Sequence, residues 1–416
     1  MGKTRMRVVL LTYGSRGDVE PMLGLAVALR ELGAEARVCA PPDFEELLAG
    51  AGVPLVPIGQ SVRALATDAL TGKPTKLPPT MAERAAWLFD SVYDAVAPVA
   101  EGSDLVVATG LLPAAAAARA AAEKAGVPYA FVSYFPSYLP SPHHPPLAFP
   151  GHPLPADVTD NRELWDLNTE VLNELFGGAV NARRAALGLP PVPDIRDHVL
   201  TARPLLASDP ALSPWQEPAE LDVVQTGAWI RTDARPLPAD LETFLAAGAP
   251  PVYVGFGSMP LRDAADVSRA AVEAVRAQGH RVLLGRGWAD LALIDGEDDC
   301  CVVGEVNQQE LFRRVAAIVH HGGAGTTTTA ARAGAPQVVV AQMADQPYWA
   351  GRVAELGIGA AHDGPNPTYD SLSAALTVAL APDTAERARS LAATVRTDGA
   401  TTAAKLLIGM AGTIVA

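Results

Sequence analysis

The sequence predicts two α/β domains, each a parallel sheet with helices on both faces. Three observations predict this. Short, wholly apolar strands alternate with helical stretches, the pattern of strands buried on both faces. The two halves repeat each other: Arg7–Tyr13 enters GSRGD and Pro251–Gly257 enters GSMP, and the helical stretches Val19–Leu32 and Ala264–Ala277 follow. A stretch with four prolines, 214–240, lies between them and reads as a linker.

The repeat continues in order. EARVCAP (35–41) is answered by HRVLLGRG (280–287), LVVATG (105–110) by AAIVHHGG (316–323), and AGVPYAFVSY by AGAPQVVVAQ. This predicts two Rossmann-like domains, 1–213 and 241–395. In such sheets, ligands sit outside the carboxyl ends of the strands. Gly14–Asp18, Gly257–Ser258 and His320–Thr327 all fall at such ends, and two domains facing each other would bring them to one cleft. Phe135–Pro155, dense in proline and histidine, reads as a loop. Leu65–Thr80, with Gly72, Pro74, Pro78 and Pro79, reads as a mobile one.

Composition sets the class. Of 416 residues, 49% are hydrophobic, enough for sizeable cores in two domains. A formal charge of −14 argues against a nucleic-acid or anionic-membrane partner. Cys39, Cys300 and Cys301 give neither a disulfide framework nor zinc spacing, so they read as core residues in a reducing compartment. The apolar run Val8–Tyr13 is a first strand rather than a secretory leader. Leu105–Ala118, interrupted by Gly110 and Pro113, is too short to span a bilayer. A cytoplasmic protein is expected.

HHGGAGTT, His320–Thr327, is the most informative segment. It reads as strand, glycine-rich loop and helix start, where backbone N–H groups and the helix dipole favour a phosphate or diphosphate. The two histidines add side-chain donors. It is neither a P-loop nor GxGxxG. The alternative is a tight turn without a ligand. Ser258 offers a hydroxyl to phosphate, while Arg286 and Trp288 suit a phosphate and a nucleobase. Trp288 packing inside, or Arg286 pairing with Asp290, is the competing reading. Asp345 and Gln346 emerge beside the glycine-rich loop and suit sugar hydroxyls, unless Asp345 only caps the next helix. Asp18 is either an N-cap or a carboxylate placed to take a proton from a nucleophile. Asp295, Glu297, Asp298 and Asp299 read as a solvated turn. His143 and His144 have no third ligand in view, so no metal site is expected.

At these residues the sequence resembles the inverting glycosyltransferases of the GT-B fold. More narrowly, it is similar to the vancomycin-group glycopeptide-antibiotic glycosyltransferases. The segments GSRGDVEP, ATGLLPAA, YLPSPHHPP, VQTGAWI, PVYVGFGS, GRGWADL, GEVNQQELF, HHGGAGTT, QMADQPYWAGRVAELG and RTDGATTAAKLL carry the resemblance, in order, along nearly the whole chain. It implies an acceptor-binding first domain, a donor-binding second domain, and a C-terminal helix, 396–416, that returns to the first. Asp18 would be the general base, with Asp345 the next candidate should Asp18 serve only as a cap. His320 would be the phosphate-binding histidine, with His321, Gly323, Ala324, Gly325 and Thr326 in the same loop. Ser15, Arg16, Ser258, Arg286, Trp288, Val306 and Gln308 would complete the donor site with Asp345 and Gln346. Tyr138, His143 and His144 would contact the acceptor. Plant relatives within the broader family carry, in the motif corresponding to HHGGAGTT, a glutamate eight residues after its first histidine, where Thr328 stands here. Plant enzymes also orient a catalytic histidine with an aspartate, where ATGLL offers only Gly110, consistent with a lone aspartate base.

The implied reaction is metal-independent, inverting transfer of a glucose- or N-acetylglucosamine-type hexose from a nucleotide diphosphate to a glycopeptide aglycone hydroxyl. UDP is favoured over dTDP, and no cofactor is needed. A monomer or weak dimer is expected. The alternatives are the same reaction on a polyketide or macrolide, a non-catalytic partner protein, and a sugar-nucleotide epimerase.

Overall fold

The computed structural model describes residues 5–73, 77–259, 261, 263–292 and 295–414, the last four without their side chains. The chain divides into two compact units. The first comprises Met1–Ser208, Pro214–Arg231 and Thr397–Ala416, and the second Asp209–Ser213 and Thr232–Arg396.

The first unit holds seven strands: β1 (Arg7–Leu11), β2 (Glu35–Ala40), β3 (Leu55–Pro57), β4 (Leu105–Ala108), β5 (Tyr129–Ser133), β6 (Leu205–Leu206) and β7 (Val224–Gln225). They pair in parallel in the order β3-β2-β1-β4-β5-β6-β7. The second unit holds β8 (Val252–Gly255), β9 (Val282–Gly285), β10 (Cys300–Val303), β11 (Ala317–His320), β12 (Gln337–Val339) and β13 (Gly359–Ala361). Their order, again parallel, is β10-β9-β8-β11-β12-β13. The two sheets thus share one winding. Each reverses direction once, between β1 and β4 and between β8 and β11, and the crevice at such a reversal is where α/β sheets take ligands.

Strand interiors explain the burial. β4 and β8 are buried at every position, as strands covered on both faces must be. Helix α1 (Arg16–Glu31) follows β1, α2 (Met81–Ala100) precedes β4, and α3 (Leu112–Ala125) follows it. Eight alanines of α3, Ala114–Ala118 and Ala120–Ala122, are at most 1% exposed, so this helix lies close against its neighbours. In the second unit, α4 (Ala324–Ala333) follows β11 and α5 (Gln346–Glu355) follows β12. The C-terminal helix α6 (Gly399–Ile414) packs on α1 in the first unit.

Some segments differ from the sequence reading. Within the expected mobile loop, Leu65–Thr71 belongs to a helix, Val62–Thr71. Ser61 caps it, the Asp43 carboxylate accepts from the Val62 N–H, and Gly72 ends it in the left-handed region. Pro74 of that zone lies outside the described residues. Helix α1 starts at Arg16, three residues before the expected Val19, because Ser15 supplies its cap. The 214–240 stretch holds β7, the last strand of the first sheet. Phe135–Pro155 is irregular apart from a 3-10 turn at Pro136–Tyr138 and one bridge between Phe149 and His152. Among the described residues, no helix is long and apolar enough to cross a membrane.

Gly399 sets how closely α6 approaches. A Cβ there would meet the Ala228 carbonyl oxygen at 2.4 Å and the Gly227 carbonyl carbon at 2.5 Å. Backbone cannot yield cheaply, so Gly399→Ala should destabilise by about 2 kcal/mol or more. Gly409→Ala, exposed with open space at its Cβ, should instead stabilise by about 0.5–1 kcal/mol through helix propensity. Chemical denaturation of both variants checks this; equal effects would show that α6 is not held by that contact.

Candidate functional site

In the second unit, the site is built around the turn from β11 into α4. His320 ends β11 on the face opposite Val319. Its ring is fully buried. Nδ1 accepts from the Gly322 N–H at 3.1 Å, which leaves the proton on Nε2, and Nε2 donates to Gln337 Oε1 at 2.9 Å. Burial holds its pKa down to about 3, so it is neutral. Both ring nitrogens are therefore occupied within the fold. This corrects the assignment of His320 as the phosphate-binding residue: it holds the loop from beneath.

His321 is half-buried on the other side of the strand end, between the two glycine turns. A Cβ on Gly323 would lie 2.7 Å from its Nε2, and one on Gly257 would lie 3.1 Å from its Cε1. The imidazole thus spans from the α4 N-terminus to the loop after β8. Its Nδ1 is buried without a hydrogen-bond partner, and burial lowers its pKa to about 4. No side chain caps α4, whose N-cap is Gly323. The N–H groups of Ala324, Gly325 and Thr326 precede the first intrahelical bond, Thr327 N–H to Gly323 O at 3.0 Å, and such groups attract anions. Counting from His321, the position eight residues on is Thr329 rather than Thr328. The Thr328 and Thr329 hydroxyls both bond back to carbonyls of their own helix, those of Ala324 and Gly325, at 2.8 Å.

Asp345 and Gln346 lie beside this loop. A Cβ on Gly322 would meet Val339 Cγ1 at 2.6 Å and the Gln346 carbonyl oxygen at 3.2 Å, so only glycine lets the two segments approach. Asp345 is the N-cap of α5 by position, but its side chain makes no capping bond. Its Oδ2 instead accepts from the Trp349 indole N–H at 2.9 Å. Gln346 Oε1 accepts from the N–H groups of Gln342 and Met343 at 2.7 and 3.1 Å. Those bonds hold a turn in which Ala344 sits at φ +55°, a conformation that costs an alanine about 1 kcal/mol or more. What Gln346 offers a ligand is therefore its amide NH₂, beside the Asp345 carboxylate.

Ser258 lies in the Gly257 turn, half-buried. The GRGW segment is joined to that turn by a bond from Trp288 N–H to Gly257 O at 2.8 Å. A Cβ on Gly287 would stand 2.4 Å from the Gly257 oxygen. Arg286 is exposed and reaches Asp290 at 3.7 Å, a weak surface pair. Val306 packs on the core beneath, and Gln308 begins the short helix Gln308–Leu311 capped by Asn307. Gln308 hydrogen-bonds Tyr253, a buried residue of β8 that the sequence reading did not single out. Gln337, the buried partner of His320, was also missed. A polar residue opening the apolar strand QVVV is the signal that was there to find.

In the first unit, Asp18 lies in the first turn of α1. Ser15, not Asp18, is the N-cap, and the two form a capping box. Asp18 Oδ2 accepts from the Ser15 N–H at 2.8 Å and its Oγ at 3.4 Å. Desolvation nevertheless pushes the carboxyl up to about 6. The Asp18 carbonyl accepts from Tyr134 Oη at 2.9 Å and Thr12 Oγ1 at 3.2 Å, so the turn is braced from two sides. Arg16 pairs with Glu20 at 2.8 Å along the helix.

The expected acceptor residues divide. Tyr138 Oη donates to the Gly110 carbonyl at 3.0 Å, and its ring stacks on Phe131. His144 is wedged edge-on between Trp165 and Trp215, and burial lowers its pKa. Of the three, only His143 is exposed, and its Nε2 donates to the Pro218 carbonyl at 3.0 Å. The acidic turn is not merely solvated: Asp295 and Asp299 both bind Arg276. Among the described residues, no three metal-ligating side chains converge.

Comparison with known proteins agrees with this architecture. Residues 8–141 match the glycosyltransferase family 28 N-terminal domain, and residues 291–405 match the erythromycin biosynthesis protein CIII-like C-terminal domain. The chain is 54% identical over 410 residues to glycosyltransferase GtfE of Amycolatopsis orientalis, covering 98% of each chain. It is 54% identical over 405 residues to the vancomycin aglycone glucosyltransferase of that organism, covering 97% of each. It is 52% identical over 390 residues to that organism's dTDP-epi-vancosaminyltransferase, covering 93% of each. Among solved structures, the glycotransferase of kitacinnamycin matches with TM-score 0.69 at 23% identity, over 97% of this chain and 98% of that one. The glycosyltransferase VinC in complex with dTDP matches with TM-score 0.68 at 21% identity, over 98% of this chain and 100% of that one. On this sequence identity and this fold, the chain belongs to the vancomycin-group glycosyltransferases and is a glycosyltransferase of the GT-B fold.

Proposed function

We propose that this enzyme transfers a hexose of the glucose or N-acetylglucosamine type from UDP to a hydroxyl of a glycopeptide antibiotic aglycone, with inversion and without a metal. The observation that carries the reading is the uncapped α4 N-terminus with His321 beside it. Preorganised N–H donors there stabilise the charge that develops on the departing diphosphate. The acceptor oxygen attacks the anomeric carbon opposite the bond to the diphosphate. That bond breaks with its electron pair going to the diphosphate, and the acceptor proton passes to Asp18. The Asp345 carboxylate accepts from sugar hydroxyls and the Gln346 amide donates to one, a pairing suited to equatorial 3- and 4-hydroxyls. Two relatives bear on the sugar in opposite directions, since one is named a glucosyltransferase and another a dTDP-epi-vancosaminyltransferase. Mass spectrometry of products from a matrix of UDP-hexoses and dTDP-deoxyaminosugars, with glycopeptide, flavonoid and macrolide acceptors, tests the assignment. Faster turnover of the dTDP-deoxyaminosugars would overturn the donor half of it.

Two outcomes concern Asp18. A carboxylate base with its pKa raised to about 6 acts only when ionised, so kcat/KM should fall as pH drops through about 6. Asp18→Asn keeps an acceptor for the Ser15 N–H and should fold and bind UDP normally, while turnover falls by about 10²–10⁴-fold and that pH limb disappears. Near-full activity in this variant would reduce Asp18 to its capping role.

The two histidines should separate. His321→Ala should weaken UDP binding by about tenfold or more, the worth of a hydrogen bond to a charged group, with little change in Tm. His320→Ala strands the buried Gln337 and should instead lower Tm. The reverse pattern in calorimetry would restore His320 as the phosphate residue. EDTA should leave turnover intact, and a strict requirement for Mg²⁺ or Mn²⁺ would sink the metal-free mechanism.

A further inference from the structure

Helix α5, which carries Asp345 and Gln346 at its start, is gripped along one flank by a distant segment of the chain. The second unit includes a short excursion, Asp209–Ser213, after which the chain returns to the first unit at Pro214. The Ser213 and Tyr348 hydroxyls share a hydrogen bond of 2.6 Å, and Arg352 Nε donates to the Leu212 carbonyl at 2.8 Å. Asp345, Tyr348 and Arg352 are spaced i, i+3, i+7 and so lie on one face of the helix. The excursion is itself fixed. Asp209 is fully buried, and its carboxylate accepts from Ala211 N–H at 2.9 Å and from Arg396 N–H at 2.7 Å. Arg396 is the last residue of the second unit, and its carbonyl accepts from Arg332 of α4. The helix of the glycine-rich loop and the helix of the Asp–Gln pair are thereby tied to the same crossing segments.

We propose that Ser213–Tyr348 and Leu212–Arg352 are positioning contacts for recognition of the donor sugar. A helix is stiff, so a bond on its second turn sets where its first residues stand. The excursion fixes α5, and α5 sets the Asp345 carboxylate against the hexose. None of these four residues is assigned contact with substrate. The inference rests on the proposed role of Asp345 and Gln346 in binding the hexose.

The test uses the full-length enzyme with Tyr348→Phe, Ser213→Ala and the double variant. The measurements are KM for UDP-glucose, Kd for UDP alone, and Tm. Losing one neutral hydrogen bond should raise the donor KM by about three- to tenfold in each single variant. UDP, which lacks the hexose, should bind as in the wild type. The double variant should be no worse than either single one, because both remove the same bond. An unchanged donor KM, equal weakening of UDP itself, or additive effects would overturn the proposal. A wild-type enzyme that binds UDP-glucose no better than UDP would overturn the donor-sugar reading itself, and this inference with it.

Discussion

The second unit depends on how closely backbone approaches backbone at the carboxyl ends of β8 and β11. Gly287 approaches the Gly257 carbonyl, and Gly322 the Val339 side chain, more closely than a Cβ would allow, with the Gln346 carbonyl in tight contact beside Gly322. His320 makes this approach durable. Its Nδ1 takes the Gly322 N–H, and its Nε2–H reaches Gln337 on the neighbouring strand. A buried histidine with both nitrogens matched is a rigid spacer, because any shift leaves a polar group unsatisfied at about 1–3 kcal/mol. The placement of His321, the α4 N–H groups, Asp345 and Gln346 follows from that one fixed turn.

Asp18 carries two demands at once. At position N3 of the capping box it must accept from Ser15, which favours the ionised form. Its surroundings desolvate it, which favours the neutral form. Desolvation dominates, and the carboxyl rises to about 6. A carboxylate left near the usual value for aspartate would cap as well but would be a weaker base. The Ser15 bonds hold the group in place while burial sets its proton affinity, so its place in the capping box is compatible with the proposed role as a base.

The parts of the fold that are legible in the sequence are those with a strong local signal. Apolar strands bounded by glycine loops mark β1, β4, β8 and β11, and the repeat between the halves foreshadows their shared strand order. What is illegible turns on a shift of one or a few residues. Side chains alternate along a strand, so whether His320 or His321 faces the interior depends on where β11 ends. Composition cannot say that. Ser15 and Asp18 both suit a cap, and only the start of α1 at Arg16 separates their roles. The helix Val62–Thr71 hides because the glycine and prolines after it dominate the local reading, while its N-terminal anchor, Asp43, is distant in sequence.

The same winding appears twice, yet the strand ends are finished differently; the counterpart of the β11 turn is the one after β4, where α3 also lacks a side-chain cap but Pro113 in its first turn has no N–H to offer. After β1, the helix N-terminus is closed by its own sequence: Ser15 accepts from Gly17 N–H and Asp18 accepts from Ser15 N–H. A carboxylate already stands in the first turn, where it repels a second anion. After β11, the N-cap is Gly323, no side chain answers the first-turn N–H groups, and no acidic residue lies in that turn. The positive end of that helix has no capping side chain, and a neutral histidine stands beside it. The loop after β1 keeps a side-chain cap, with Asp18 in the first turn, and the loop after β11 ends in Gly323, which supplies none.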